Sequence, residues 1–156
     1  MPVHVCSLIV NEAQSIPADG EYHIVRFPYG GGESYDAHGM HQAQQPDGET
    51  SAYPDRRSGL IWPALDGWGS LTAMVFWADG DYSEVRDRFV RDPLGLAEGY
   101  DSTATEDHAR TPGGQYRQKH HELFVHPDTP LAFMIRHNGS GPVSITHAQL
   151  KLAIHT

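Results

Sequence analysis

Residues 143–155, VSITHAQLKLAIH, carry the strongest structural constraint in the chain. Val143 and Ile145 occupy one parity, and Ala148, Leu150, Leu152 and Ile154 occupy the other. Side chains on a strand alternate between its two faces. An unbroken strand would therefore turn two of these six aliphatic groups toward water. One extra residue near Thr146–His147, a β-bulge, restores all six to a common face. A strand with that much inward apolar surface belongs inside a sheet, paired on both sides. The segment Val3–Val10 is the candidate neighbour on one side.

The rest of the chain reads as short strands between turns. Gly 16 and Pro 11 together make 27 of 156 residues, above the usual combined share of about 12%. That excess favours turns over long helices. Strands are expected at 3–10, 21–27, briefly at 60–63, at 70–78, over QYRQKHHELFVH to about Val125, at 131–137 and at 143–155. SIPADG, 15–20, reads as a turn. Residues 70–78 are apolar on both parities, which suits a central strand. Residues 81–92 fit two patterns: Tyr82, Val85 and Phe89 share a helical face, while Val85, Asp87 and Phe89 alternate as on a strand. The reading favours a short helix or an extended loop there, with 92–114 mostly loop. Residues 28–59 show no periodicity and form a long irregular segment of the kind that often carries contacts. This pattern predicts an all-β chain: an antiparallel β-sandwich, a jelly roll with long irregular loops, over a single domain, 1–156.

Charge and composition narrow the function. Lys+Arg 11 against Asp+Glu 20 gives a net charge of −9. The basic candidates Arg86, Arg88, Arg91, Arg117 and Lys119 are diluted by acids, which argues against direct nucleic-acid binding. Cys6 is alone, so no internal disulfide forms, and its apolar surroundings suit a buried, inert thiol. MPVHVCSLIV lacks a basic leader, and no apolar run approaches the ~20 residues of a membrane span. The expectation is a protein made in the cytoplasm, with no membrane association.

No motif states an activity. His38 and His41 fall in a Gly-rich loop, with the next glutamate only at Glu49, unlike the spacing of a cupin metal site. His120 and His121 point to opposite faces of a strand, so His120, His121, Glu122 and His126 are no ready ligand set. Asp79, Asp81 and Ser83 imitate the opening of a calcium loop, but Glu84 replaces the glycine and Val90 the final acid. Gly30–Gly32 lack the Lys-Ser/Thr of a phosphate loop. Ser58 and Ser140 are turn residues. Glu98, Asp101, Glu106 and Asp107 read as a solvated loop. No catalytic, cofactor-binding or metal-ligating residue is assigned, and no cofactor is expected. Trp62, Trp68, Trp77, Tyr29, Tyr35, Tyr53, Tyr100 and Tyr116 lie mostly in or beside loops. They suit packing at strand ends or, alternatively, a protein interface or sugar-stacking surface.

From about Leu71 to Thr156 the order of features resembles jelly rolls of the tumour-necrosis-factor and complement-type superfold. SLTAMVFWADGDYSEVRDRFVRD resembles a central strand followed by a charged stretch. HELFVHPDTPLAFMIRHNGSGPVSITHAQLKLAIHT resembles that superfold's last three strands and turns. The resemblance implies a terminal strand in mid-sheet, a homo-oligomer with a trimer preferred, and no catalytic residues. The overall character is similar to small acidic capsid decoration and minor tail proteins of actinobacterial bacteriophages. The implied partners are capsid or tail proteins of a phage particle, touched by loops 28–59 and 92–118, and the implied location is the virion. A carbohydrate-binding, receptor-recognising module is the alternative function, with a metal-dependent cupin-like enzyme behind it.

Overall fold

The structure, a computed structural model, describes residues 2–31, 34–97 and 101–156, without the side chain of Ser102. Among the described residues nine strands follow one another: β1 Val3–Val10, β2 Gln14–Ile16, β3 His23–Ile24, β4 Gly67–Trp77, β5 Glu84–Arg91, β6 Asp101–Ala109, β7 Gln115–Val125, β8 Leu131–His137 and β9 Val143–His155. One short 3-10 helix, Arg56–Gly59, interrupts the long connection between β3 and β4. The first sheet runs β1-β9-β4-β7, with β2 also paired to β9; the second runs β3-β8-β5-β6. Every strand pair is antiparallel. This is a jelly-roll β-sandwich.

β9 lies between β1 and β4, as its apolar content requires. The register against β4 pairs Phe76 with His147 and Trp77 with Ile145, so Thr146 is the extra, unpaired residue. Val143, Ile145, Ala148, Leu150, Leu152 and Ile154 are all buried. They meet Val85, Phe89, Phe133 and Ile135 of the second sheet in one core, with Cys6, Leu8, Trp77 and Tyr82.

The second sheet is buried on both faces near its middle. Ile24, Leu60, Trp62, Val90, Ala132 and Met134 form a smaller cluster on its outer side, with Tyr22 and Leu94 packed against it. Residues 60–62 supply that cover, tied to β8 by Ile61 N–H to Leu131 O at 2.9 Å and the reverse bond at 2.8 Å. The run LAFMIRH is therefore apolar at consecutive positions because β8 has no solvent face over most of its length.

Five expectations need correction. Residues 84–91 are strand β5, neither helix nor loop: Val85, Asp87 and Phe89 turn inward, and β6 and β8 flank it. The 92–114 region holds β6, whose polar sequence DSTATEDHA suits an edge strand and hides it from an apolar pattern. β6 carries its own bulge: Arg88 pairs with Thr105 and Phe89 with Thr103, leaving Ala104 over, at φ 31°. The strand expected at 21–27 shrinks to His23–Ile24, and the one at 60–63 to a single bridge at Ile61. Part of the turn at 15–20 pairs as β2.

Two substitutions test the role of β9. Leu152→Ala, at a fully buried site, should cost about 2–5 kcal/mol in urea unfolding. Deleting Thr146 should push Val143 and Ile145 to the outer face and cost about 3–6 kcal/mol. Wild-type stability in the deletion would disprove the bulge.

Candidate functional site

Among the described residues none covers the outer face of the first sheet, and the composition of that face follows from strand parity. In β4 the inward positions are Gly69, Leu71, Ala73, Val75 and Trp77, so Trp68, Ser70, Thr72, Met74 and Phe76 point out. Registers with β7 and β9 arrange the outward residues in rows across the sheet. Val3, His155, Trp68 and Phe124 form the row at one end. His147, Phe76 and Tyr116 form the row at the other. Lys151, Thr72 and His120 cross the middle.

Both end rows are aromatic. Trp68 and Phe124 meet edge-to-face at 5.1 Å, and Phe76 and Tyr116 meet tilted at 4.6 Å. Phe124 is 62% exposed and Tyr116 64%. Between them the face is polar. Glu122 accepts bonds from Ser70 Oγ at 2.8 Å and Trp68 Nε1 at 3.3 Å, and these hold its carboxyl below the usual range, Ser70 contributing most. Thr72 Oγ1 lies 3.3 Å from His120 Nδ1. A shallow recess of about 160 Å³ opens among Thr72, Met74, Gln118, Gln149 and Lys151. An apolar-ended face with a polar centre can bind protein surface.

The other candidates fall elsewhere. The loop 28–59 is irregular in path but densely bonded. Asp36 accepts the N–H groups of Met40 and His41, both at 2.7 Å, which folds the HGMH turn. His41 is buried, with Nε2 2.7 Å from Ser58 O and its ring stacked on Tyr29. Burial pushes its pKa below the ordinary imidazole value, against the opposing pull of that carbonyl. His38 instead packs on His4 at 4.1 Å, so the two histidines of the turn have separate surroundings. Arg57 forks onto Asp47 at 3.0 and 2.9 Å, and Asp55 caps the 3-10 helix. Gly59 admits β3, since a Cβ there would lie 2.2 Å from Val25 O.

His120 and His121 do face opposite ways; His126 pairs with Asp66 at 2.7 Å. Asp79 pairs with Arg110, and Asp81 accepts from the Ser140 amide and hydroxyl, so the two do not converge. Among the described residues no three of His, Cys, Asp and Glu are grouped to hold a metal ion. Trp77, the last residue of β4, and Trp62, next to the Ile61 bridge, are packed into the two clusters, and Tyr100, Glu98 and Gly32 lie outside the described residues. Glu106 and Asp101 are no solvated loop: they sit on β6 and pair with Lys119 and Arg91. The sequence reading missed Phe76 and Phe124, although the parity of the two long strands would have separated them from the core.

No protein-family model matches the chain, and no curated protein sequence matches it. Solved structures do. The chain is similar to the Eiger TNF of S. frugiperda, at 13% identity and a TM-score of 0.64, covering 100% of this chain and 94% of that one. It is similar to the globular domain of zebrafish complement 1qA, at 10% identity and 0.63, covering 98% and 96%. It is similar to murine APRIL, at 12% identity and 0.57, covering 99% and 100%. The fold is that of the tumour-necrosis-factor and complement-like superfold.

Cys6 is fully buried, and burial, with Asp36 beside it, pushes its thiol well above the ordinary value. Below an unfolded thiol pKa of ~8.5 both states are protonated. Above it only the unfolded chain ionises, so stability should fall by about 1.4 kcal/mol per pH unit. Urea titrations from about pH 8.5 to 10 should show that slope, and Cys6→Ala should flatten it. A thiol reagent should label Cys6 only on unfolding.

Proposed function

We propose that this protein is a non-enzymatic structural protein that assembles as a homotrimer through the outer face of its five-stranded sheet. It serves as a capsid decoration or minor tail component of a bacteriophage particle. Residues 1–156 act as one jelly-roll unit, made in the host cytoplasm and carried in the virion. One observation supports assembly above the rest: the two exposed aromatic pairs, Trp68–Phe124 and Phe76–Tyr116, at the ends of an otherwise uncovered sheet. Aromatic residues are enriched where proteins touch, and a polar surface between apolar anchors matches the mixed character of such contacts. The particle role draws on the similarity of a small acidic jelly roll to decoration and tail proteins. A net charge of −9 agrees with protein partners over nucleic acid. No described helix is long and apolar enough to cross a membrane. The densely bonded loop 28–59 is the partner-facing element, since rigid loops on a β scaffold commonly make contacts.

A second reading has its own observation. Trp68 lies beside the polar pair Ser70 and Glu122, and an aromatic ring next to hydrogen-bonding groups also suits a sugar. On that reading the face binds a glycan on a host surface. A glycan array with signal removed by Trp68→Ala would favour it over self-assembly.

Light scattering after size exclusion should give three times the 17.3 kDa of one chain. The double variant Trp68→Ser, Phe124→Ser should run as a folded monomer with its urea midpoint little changed. A wild-type monomer at micromolar concentration, and no protein in purified particle fractions, would remove the assembly and particle readings in turn.

A further inference from the structure

Polar residues at inward positions are costly, and the core holds two facing each other from opposite sheets. Lys119 sits on the inward face of β7, opposite Ala73, and is 3% exposed. Asp87 sits on the inward face of β5, between Val85 and Phe89, and is 1% exposed. Lys119 Nζ is 3.1 Å from Asp87 Oδ1, a contact not aligned as a hydrogen bond. The same Nζ donates to Glu106 Oε1 at 2.6 Å. Asp87 Oδ2 meets His108 Nε2 at 2.9 Å. Glu106 and His108 stand on β6, and both reach the sandwich edge, where Glu106 is half-exposed. A buried amine thus has a carboxyl group on one side and a solvent-connected base on the other.

From this geometry we infer that Lys119 and Asp87 condense into an intramolecular isopeptide bond that joins the two sheets. Nζ attacks Cγ of Asp87. An Nζ–Cγ amide bond forms, the Cγ–Oδ2 bond breaks, and Oδ2 leaves as water. The ammonium gives up two protons and Oδ2 gains two, so the sum is one ammonium plus one carboxylate to one amide plus one water. No oxidant or reductant takes part. Glu106 takes the protons from Nζ and passes them to solvent. His108 delivers protons to Oδ2 and is recharged from solvent. Two features favour the step. The reacting groups are held together by two rigid sheets, which removes the entropic cost of meeting. The product replaces two buried charges, each expensive to keep out of water, with a neutral amide. Lys119 donates to Glu106 and that bond holds the Glu106 carboxyl below its usual range, so the base is ionised when it is needed. The inference does not depend on the proposed assembly role.

Intact mass spectrometry of the full chain, denatured, tests it. The expected mass lies one water below that of the sequence. Proteolysis should give a branched peptide joining the segment with Asp87 to the segment with Lys119. Lys119→Arg should restore the full mass, and Glu106→Gln, at a half-exposed site that leaves the core intact, should slow or abolish the loss. A wild-type chain at full sequence mass overturns the inference. So does a water loss mapped to a cyclised Asp-Gly pair, such as Asp47–Gly48 or Asp79–Gly80.

Discussion

Burial of β9 organises this molecule. Its backbone is bonded to β1 and β2 on one side and to β4 on the other. Its six inward aliphatic groups form the floor of the main core. A strand in that place cannot slip by one residue without exchanging its core and solvent faces. The bulge at Thr146 lets one strand obey that rule over 13 residues despite a change of parity in the sequence. The rows of residues on the outer face follow from the same registers. Trp68, Phe124, Phe76 and Tyr116 share a surface because β4 and β7 are locked to one another and to β9.

The two flanks of the sandwich are closed by different physics. Beside β1 and β3 the long loop is tied in by hydrogen bonds from Asp36, Asp55 and Arg57, and by bridging of Tyr35 to Ser7. Beside β6 and β7 the closure is ionic, from Lys119, Asp87, Glu106 and His108. Hydrogen bonds of the loop are short-ranged and local. The cluster of Lys119, Asp87, Glu106 and His108 instead spans both sheets, with Lys119 and Asp87 buried at its centre and Glu106 half-exposed at its edge.

The outer faces differ in the same way. Residues 60–62 and Leu94 cover the second sheet, while the first sheet has no cover of its own. The covered sheet keeps its apolar residues inside, and the open one presents its aromatic rows to solvent. Fold likeness at 10–13% identity extends to the path of the backbone alone. The surface residues carry the functional argument.

Apolar runs and apolar alternation were enough to place β1, β4, β7, β8 and β9, the antiparallel sandwich and the bulge in the last strand. Those features are local: a period of two and its interruption are visible in one segment at a time. β5 escaped because Arg and Asp occupy half of its positions, and β6 because an edge strand needs little apolar surface. The aromatic face was half legible, since Trp68 and Tyr116 stood out but their grouping with Phe76 and Phe124 depends on cross-strand register. The cluster of Lys119 with Asp87 was illegible. Residues 32 apart in the chain and on different sheets become neighbours only when the layers stack, and no periodicity within a segment encodes which inward positions of two sheets will face each other.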